Sequence, residues 1–134
     1  MLRTLLLPLA LLLAAAAAPL AHAGLNSKTL ILHTTRYGLS RTANTITWKE
    51  HFSTAGKPAG TSHVTCTATT PTLLHCKGTY TLATGTLYAT ATATQSTGQG
   101  KITGGTHAYT HATGTIHIIQ LNDNGDSRIV IGLH

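Results

Sequence analysis

Between Thr86 and Thr94 the chain reads TLYATATAT, with Leu87, Ala89, Ala91 and Ala93 at one parity and Tyr88, Thr90, Thr92 and Thr94 at the other. Such alternation places the two sets on opposite faces of an extended strand, whereas a helix would mix them. Threonine, a poor helix former and good strand former, recurs in nearly every later segment. Strands are expected at Thr29 to Thr35, Thr45 to Phe52, Thr61 to Thr69, Leu74 to Ala83 and Thr86 to Thr94. A short piece around Lys101 to Thr103, a strand from Thr106 to Leu121 bent at Gly114, and Ser127 to Leu133 complete about eight. The connections TAGKPAG, TGQG and NDNGD carry turn chemistry. No convincing helix interrupts them. The fold class is all-β: one domain, an antiparallel sandwich or closed barrel.

Strand parity also bears on the interior. If the alanine side of TLYATATAT points inward, that wall contributes little volume. An eight-stranded barrel is just filled by ordinary side chains and holds a small ligand when they are small. Either a lumen opens or Trp48, Phe52 and Tyr80 fill it. The segment TITWKEHF sharpens the choice, because Ile46, Trp48, Glu50 and Phe52 share one face and Thr45, Thr47, Lys49 and His51 the other. Glu50 is the only glutamate in the chain. In an apolar lumen its carboxyl would be stripped of water and able to give or take a proton. At the strand end, or moved outward by a bulge, it would be a rim residue in solvent.

The first residues, MLRTLLLPLALLLAAAAAPLAHA, have a basic start at Arg3, an apolar Leu/Ala run and an A-x-A site at Ala21 to Ala23. That is the pattern of a secretory signal peptide, with cleavage expected after Ala23 and residues 24–134 as the mature domain. Pro8 and Pro19 interrupt the run and no basic stop-transfer cluster follows, which disfavours a membrane anchor. The expected localisation is extracellular, without stable membrane insertion. Cys66 and Cys76 are the only cysteines. An even pair in an exported chain reads as a disulfide, and Pro71 between them suits a hairpin turn that sets them opposite each other. Closing so short a loop contributes somewhat under ~3 kcal/mol. A metal or redox site would need a third cysteine or a C-x-x-C spacing, and neither is present.

The formal net charge is +6, because nine Lys and Arg face three acids. The cations are scattered singly, without a nucleic-acid motif, so specific nucleic-acid binding is not expected. His107, Tyr109, His111 and His117 share a parity, but positions four apart on a strand are roughly 13 Å apart, too far for one metal ion without a bend. No metal and no cofactor is expected. His33, His51, His63 and His75 fall on polar faces and should lie at the surface. NDNGD lacks the remaining calcium-loop ligands and reads as a turn built on Asn124-Gly125. No serine sits in a G-x-S-x-G elbow, and GQGKITGG precedes no helix that could cradle a phosphate.

Two motifs carry a family resemblance. The hairpin Cys76-Lys77-Gly78-Thr79-Tyr80-Thr81-Leu82, continued by Gly85-Thr86-Leu87, is followed by a segment running Ile102-Thr103-Gly104-Gly105-Thr106-His107-Ala108-Tyr109 and on to Gly114-Thr115. Together they resemble bacterial secreted members of the allene oxide cyclase barrel-like group, related in architecture to plant dirigent proteins. The resemblance covers roughly Cys66 to Ile119. His107 and His111 stand where that group usually has glycine, so the backbone freedom of those glycines is absent and the local turn should differ. The resemblance implies a calycin-like eight-stranded barrel, often a homotrimer, with a pocket for a hydrophobic small molecule. The first reading is a dirigent-like binder of an apolar or phenolic ligand, which Trp48, Phe52, Tyr80 and Tyr109 would wall. The second is an isomerase or cyclase, as in some members of that group, in which Glu50 would polarise a lipid- or polyketide-like substrate. A noncatalytic extracellular structural or adhesion protein with a filled barrel is the third reading, since a fold does not transfer a reaction.

Overall fold

Threonine-laced segments pair with their sequence neighbours throughout, and the last closes on the first. The computed structural model describes residues 27–134; the expected signal peptide and its expected cleavage after Ala23 lie outside the described residues. Eight strands form a closed antiparallel barrel in sequence order. They are β1 Lys28–Arg41, β2 Thr45–Thr54, β3 Lys57–Thr70 and β4 Leu73–Leu82, then β5 Gly85–Ala93, β6 Thr97–Gly105, β7 Gly114–Gln120 and β8 Ser127–Leu133. Closure comes from the β1–β8 ladder, which runs from Lys28 opposite Leu133 to Thr34 opposite Ser127. A closed barrel leaves no edge strand to aggregate.

Tight turns set the hairpin registers. Ala55 and Gly56, both at positive φ (48° and 78°), join β2 to β3 as a two-residue turn of the type whose twist suits a hairpin. Pro71 and Thr72 join β3 to β4 between the Thr70–Leu73 pair, which puts Cys66 directly opposite Cys76. The two cysteines form a disulfide. In the β7–β8 connection the Gly125 amide donates to the Asn122 carbonyl at 3.2 Å. The turn is therefore centred on Asp123 and Asn124, one residue earlier than Asn124-Gly125, with Gly125 following at φ 87°.

Strand bounds are corrected too, since β1 runs past Thr35 to Arg41. β6 is nine residues long, from Thr97 to Gly105, because its glycines pair in the ladder instead of ending it. Thr106 to Leu121 is not one bent strand: a 3₁₀ turn occupies His107–Tyr109, and β7 starts only at Gly114. His107 and His111 both adopt left-handed backbone, φ 52° and 62°. They keep the conformation that glycine would supply and accept the steric cost of a Cβ. The break also removes the common strand face of His107, Tyr109, His111 and His117. Among the described residues no three His, Cys, Asp or Glu side chains converge to hold a metal ion.

The barrel is filled unevenly along its axis. Leu32, Phe52, Leu87, Ile102, Tyr109, Ile116, Ile129 and Ile131 pack with Tyr80 into the main core. Each such aliphatic burial contributes about 1.5–3 kcal/mol. The 3₁₀ turn packs against this end, where Tyr109 is buried and the Thr84 hydroxyl donates to its phenol oxygen at 3.0 Å. A smaller cluster of Val64, Cys66 and Cys76, with Trp48, Leu74 and Ala93 against it, lines the other half. No helix of the described residues is long and apolar enough to cross a membrane. His33, His51, His63 and His75 are all exposed on the outer wall.

Candidate functional site

The less filled half of the barrel encloses a cavity of about 960 Å³. Its mouth lies at the end carrying the β3–β4, β5–β6 and β7–β8 connections, whose residues Pro71, Ser96 and Asp123 are on its wall. Small side chains make the space: Ala89, Ala91 and Ala93 of β5 form one side, and the disulfide of β3 and β4 lies beside them. The lumen is open on this half and filled on the other; of the three residues named as possible fillers, Phe52 lies in the filled core, whereas Trp48 and Tyr80 line the cavity.

β2 runs the length of this gradient. Ile46, Trp48 and Glu50 face the cavity in turn, and Phe52 enters the filled core. The pleat makes this assignment, since alternate residues share a face. Tyr80, from β4, is buried where the two halves meet; it lines the cavity and its ring lies 6.4 Å from that of Phe52. Gly78, two residues earlier on the same face, makes room for it, because a Cβ there would meet the Tyr80 ring at 2.8 Å. Burial, with the Glu50 charge adding to it, pushes the Tyr80 phenol above its ordinary value. The phenol therefore stays protonated and can donate a hydrogen bond. Of the four aromatic residues singled out by sequence, Trp48 and Tyr80 line the cavity, whereas Phe52 and Tyr109 belong to the closed end.

Glu50 is 3% exposed. It is not at the rim. Its Oε1 accepts a hydrogen bond of 2.8 Å from the hydroxyl of Ser62, its directly opposed neighbour on β3. On its other side Glu50 is opposed by Arg36 of β1. The Arg36 guanidinium lies against the Trp48 ring, 4.2 Å from its centroid. A cation over an indole face is attracted by the ring quadrupole, by about 0.5–2 kcal/mol. Burial holds Arg36 below its ordinary value; Glu50 and Asp126 oppose that shift, and Arg41 adds to it. Arg36 Nε and Trp48 Nε1 are both buried with no hydrogen-bond partner.

Arg36 and Ser62 are the site residues that sequence reasoning missed. The sequence expectation ends the first strand at Thr35 and counts Arg36 among the scattered cations. β1 runs on to Arg41, which puts Arg36 at the parity of Leu32 and Thr34, both buried. Ser62 has the parity of Val64 and Cys66, which was a usable signal.

No family model and no curated protein matches this sequence. Solved structures do share its fold. A pyocyanin demethylase superposes with a TM-score of 0.69 at 19% identity, covering 80% of this chain and 100% of its own. An exo-specific intermolecular Diels-Alderase gives a TM-score of 0.60 at 9% identity, over 80% of this chain and 97% of its own. A pterocarpan synthase dirigent protein gives 0.54 at 14% identity, over 81% and 84%. At these identities the likeness is one of fold: the chain is built as barrels that include cyclase and dirigent proteins are built.

Proposed function

We propose that the protein is a secreted barrel that holds an apolar or phenolic small molecule in its lumen, in the manner of a dirigent protein. The observation that carries this reading is the alanine-walled cavity of about 960 Å³ in one half of the barrel. It lies within the range of small-molecule sites, which are mostly apolar with a few placed polar groups. Here the apolar part is the alanine wall, the disulfide and Trp48; the polar part is Arg36, Glu50, Ser62 and Tyr80. Barrels of the same fold are described as acting on, or guiding reactions of, small organic molecules, which supports the same class of ligand. The leader motif and the disulfide support export to an oxidising compartment. An open half-lumen argues against the filled structural or adhesion protein.

A second reading, an isomerase or cyclase, is favoured by Glu50. A buried carboxyl on the wall of an otherwise apolar cavity can polarise a bound substrate or move a proton while the barrel excludes water. Cyclisation of a folded substrate needs little beyond shape and one such group.

Native mass spectrometry of the protein purified from its own secretion medium tests the first reading. Expected is a retained organic molecule, together with the mass of the oligomer, for which a homotrimer is the proposal. A bare chain that also fails to bind any flat aromatic probe would refute it. The retained molecule then serves as substrate for the second reading. Glu50→Gln should keep binding but lower conversion by about 10²-fold or more, and unchanged turnover would remove the acid–base role.

A further inference from the structure

We infer that Arg36, stacked on Trp48, is the anchor for an oxyanionic end of the ligand, so that the lumen selects flat apolar molecules carrying a carboxylate or acidic phenol. This rests on the small-molecule reading above and names the ligand class.

Four observations converge on this pair. Arg36 is half-buried on the cavity wall, where a guanidinium needs an anionic or strongly accepting partner. Its cross-strand neighbour Glu50 is engaged by Ser62 at 2.8 Å, and its guanidinium rests instead on the face of an indole, 4.2 Å away. Two buried N–H groups of this pair, Arg36 Nε and Trp48 Nε1, lack a hydrogen-bond partner. Finally, burial outweighs the nearby acids in setting the Arg36 shift, so Glu50 and Asp126 compensate this cation only in part.

Unpaired buried donors are uncommon in folded proteins and call for a specific explanation. An oxyanion at the mouth supplies one. It would meet the planar donor fork that suits carboxylates, and the ligand's ring would lie beside the indole and alanine wall. The Trp48 face orients the guanidinium. Gly125 leaves room for the guanidinium, since a Cβ there would lie 2.5 Å from Arg36 Cζ. The anchor is positioned before any ligand arrives, and such preorganisation improves affinity.

Trp48 is the chain's single tryptophan, so its fluorescence reports binding, with calorimetry as an independent readout. The probes are a naphthoate, the methylnaphthalene of the same shape, and the corresponding naphthylmethylammonium. Expected is naphthoate binding about tenfold or more tighter than either other probe, as for a hydrogen-bonded charge. Arg36→Met should abolish that preference and change methylnaphthalene affinity by less than about threefold. Arg36→Lys, which keeps the charge, should retain part of the preference and controls for folding. Equal wild-type affinity for naphthoate and methylnaphthalene, or a preference that survives Arg36→Met, overturns the anchor and leaves the small-molecule reading standing. Failure of all three probes overturns both.

Discussion

Arg36 and Glu50 stand directly opposite each other on β1 and β2, at positions facing the lumen, yet each turns to a different neighbour. The guanidinium rests on Trp48 and the carboxylate takes its hydrogen bond from Ser62. A pair fully engaged with itself would be structural. A pair held apart by an indole and a hydroxyl leaves its charges available to a third party in the cavity.

The Ser62–Glu50 bond should be measurable in stability. Ser62→Ala leaves a buried carboxyl with one donor fewer, at a cost of about 1–3 kcal/mol. Combined with Glu50→Gln in a double-mutant cycle, the coupling should be near 1 kcal/mol, the usual net contribution of a hydrogen bond. Urea denaturation of the four proteins provides the comparison; additivity within error would show that the bond contributes nothing.

Tyr80 predicts an alkaline weakness. Its phenol is raised above the ordinary value of about 10 by burial first and by Glu50 second. Between the unfolded and folded values the native state holds one more proton than the unfolded chain, so stability falls as pH rises. The contribution is fully present below about pH 10 and is lost at about 1.4 kcal/mol per pH unit above it. Tyr80→Phe removes this component. Urea midpoints at pH 9 and 11 should therefore drop less in the variant than in the wild type; equal drops would mean that the phenol is not protected.

What could be read in advance follows the range of the interaction that decides it. Parity along β2 is a local property of the pleat, so the common face of Trp48, Glu50 and Phe52 was visible in the residues. The disulfide was equally local, since ten residues and a central proline set Cys66 opposite Cys76. How deep each inward residue sits depends on the register of all eight strands, which no single segment encodes. Trp48 and Phe52 therefore looked equivalent, yet one lines the cavity and the other lies in the core. The 3₁₀ turn at His107–Tyr109 was hidden for another reason. Left-handed backbone is usually advertised by glycine; the resemblance marked His107 and His111 as glycine positions, but histidine there argued against the conformation that both in fact adopt.

The disulfide belongs to the cavity wall as well as to the fold. Cys66→Ser with Cys76→Ser should cost about 2–3 kcal/mol from loop entropy and lost packing against Val64 and Leu74. That corresponds to a fall in thermal midpoint on the order of 10 °C. Because both sulfurs line the lumen, ligand affinity should fall together with stability. Scanning calorimetry with and without a bound aromatic probe separates the two; a variant that loses stability but keeps full affinity would place the bridge outside the binding wall.

Gly125 connects the mouth of the barrel to its polar centre. It is buried, its φ is 87°, and Arg36 fills the space a side chain would need. Gly125→Ala therefore meets two obstacles at once. Left-handed backbone costs a residue with a Cβ about 1–2 kcal/mol, and the methyl would lie 2.6 Å from Arg36 Nη1. The flexible end of Arg36 can yield where the backbone cannot, so the chain should still fold, less stable by about 1–2 kcal/mol, with the guanidinium displaced from the indole. The emission of Trp48 should change in the variant without ligand, and the preference for an oxyanionic probe should weaken. An unchanged spectrum in a protein destabilised by that amount would show that the turn strain alone is responsible and that Gly125 does not position Arg36.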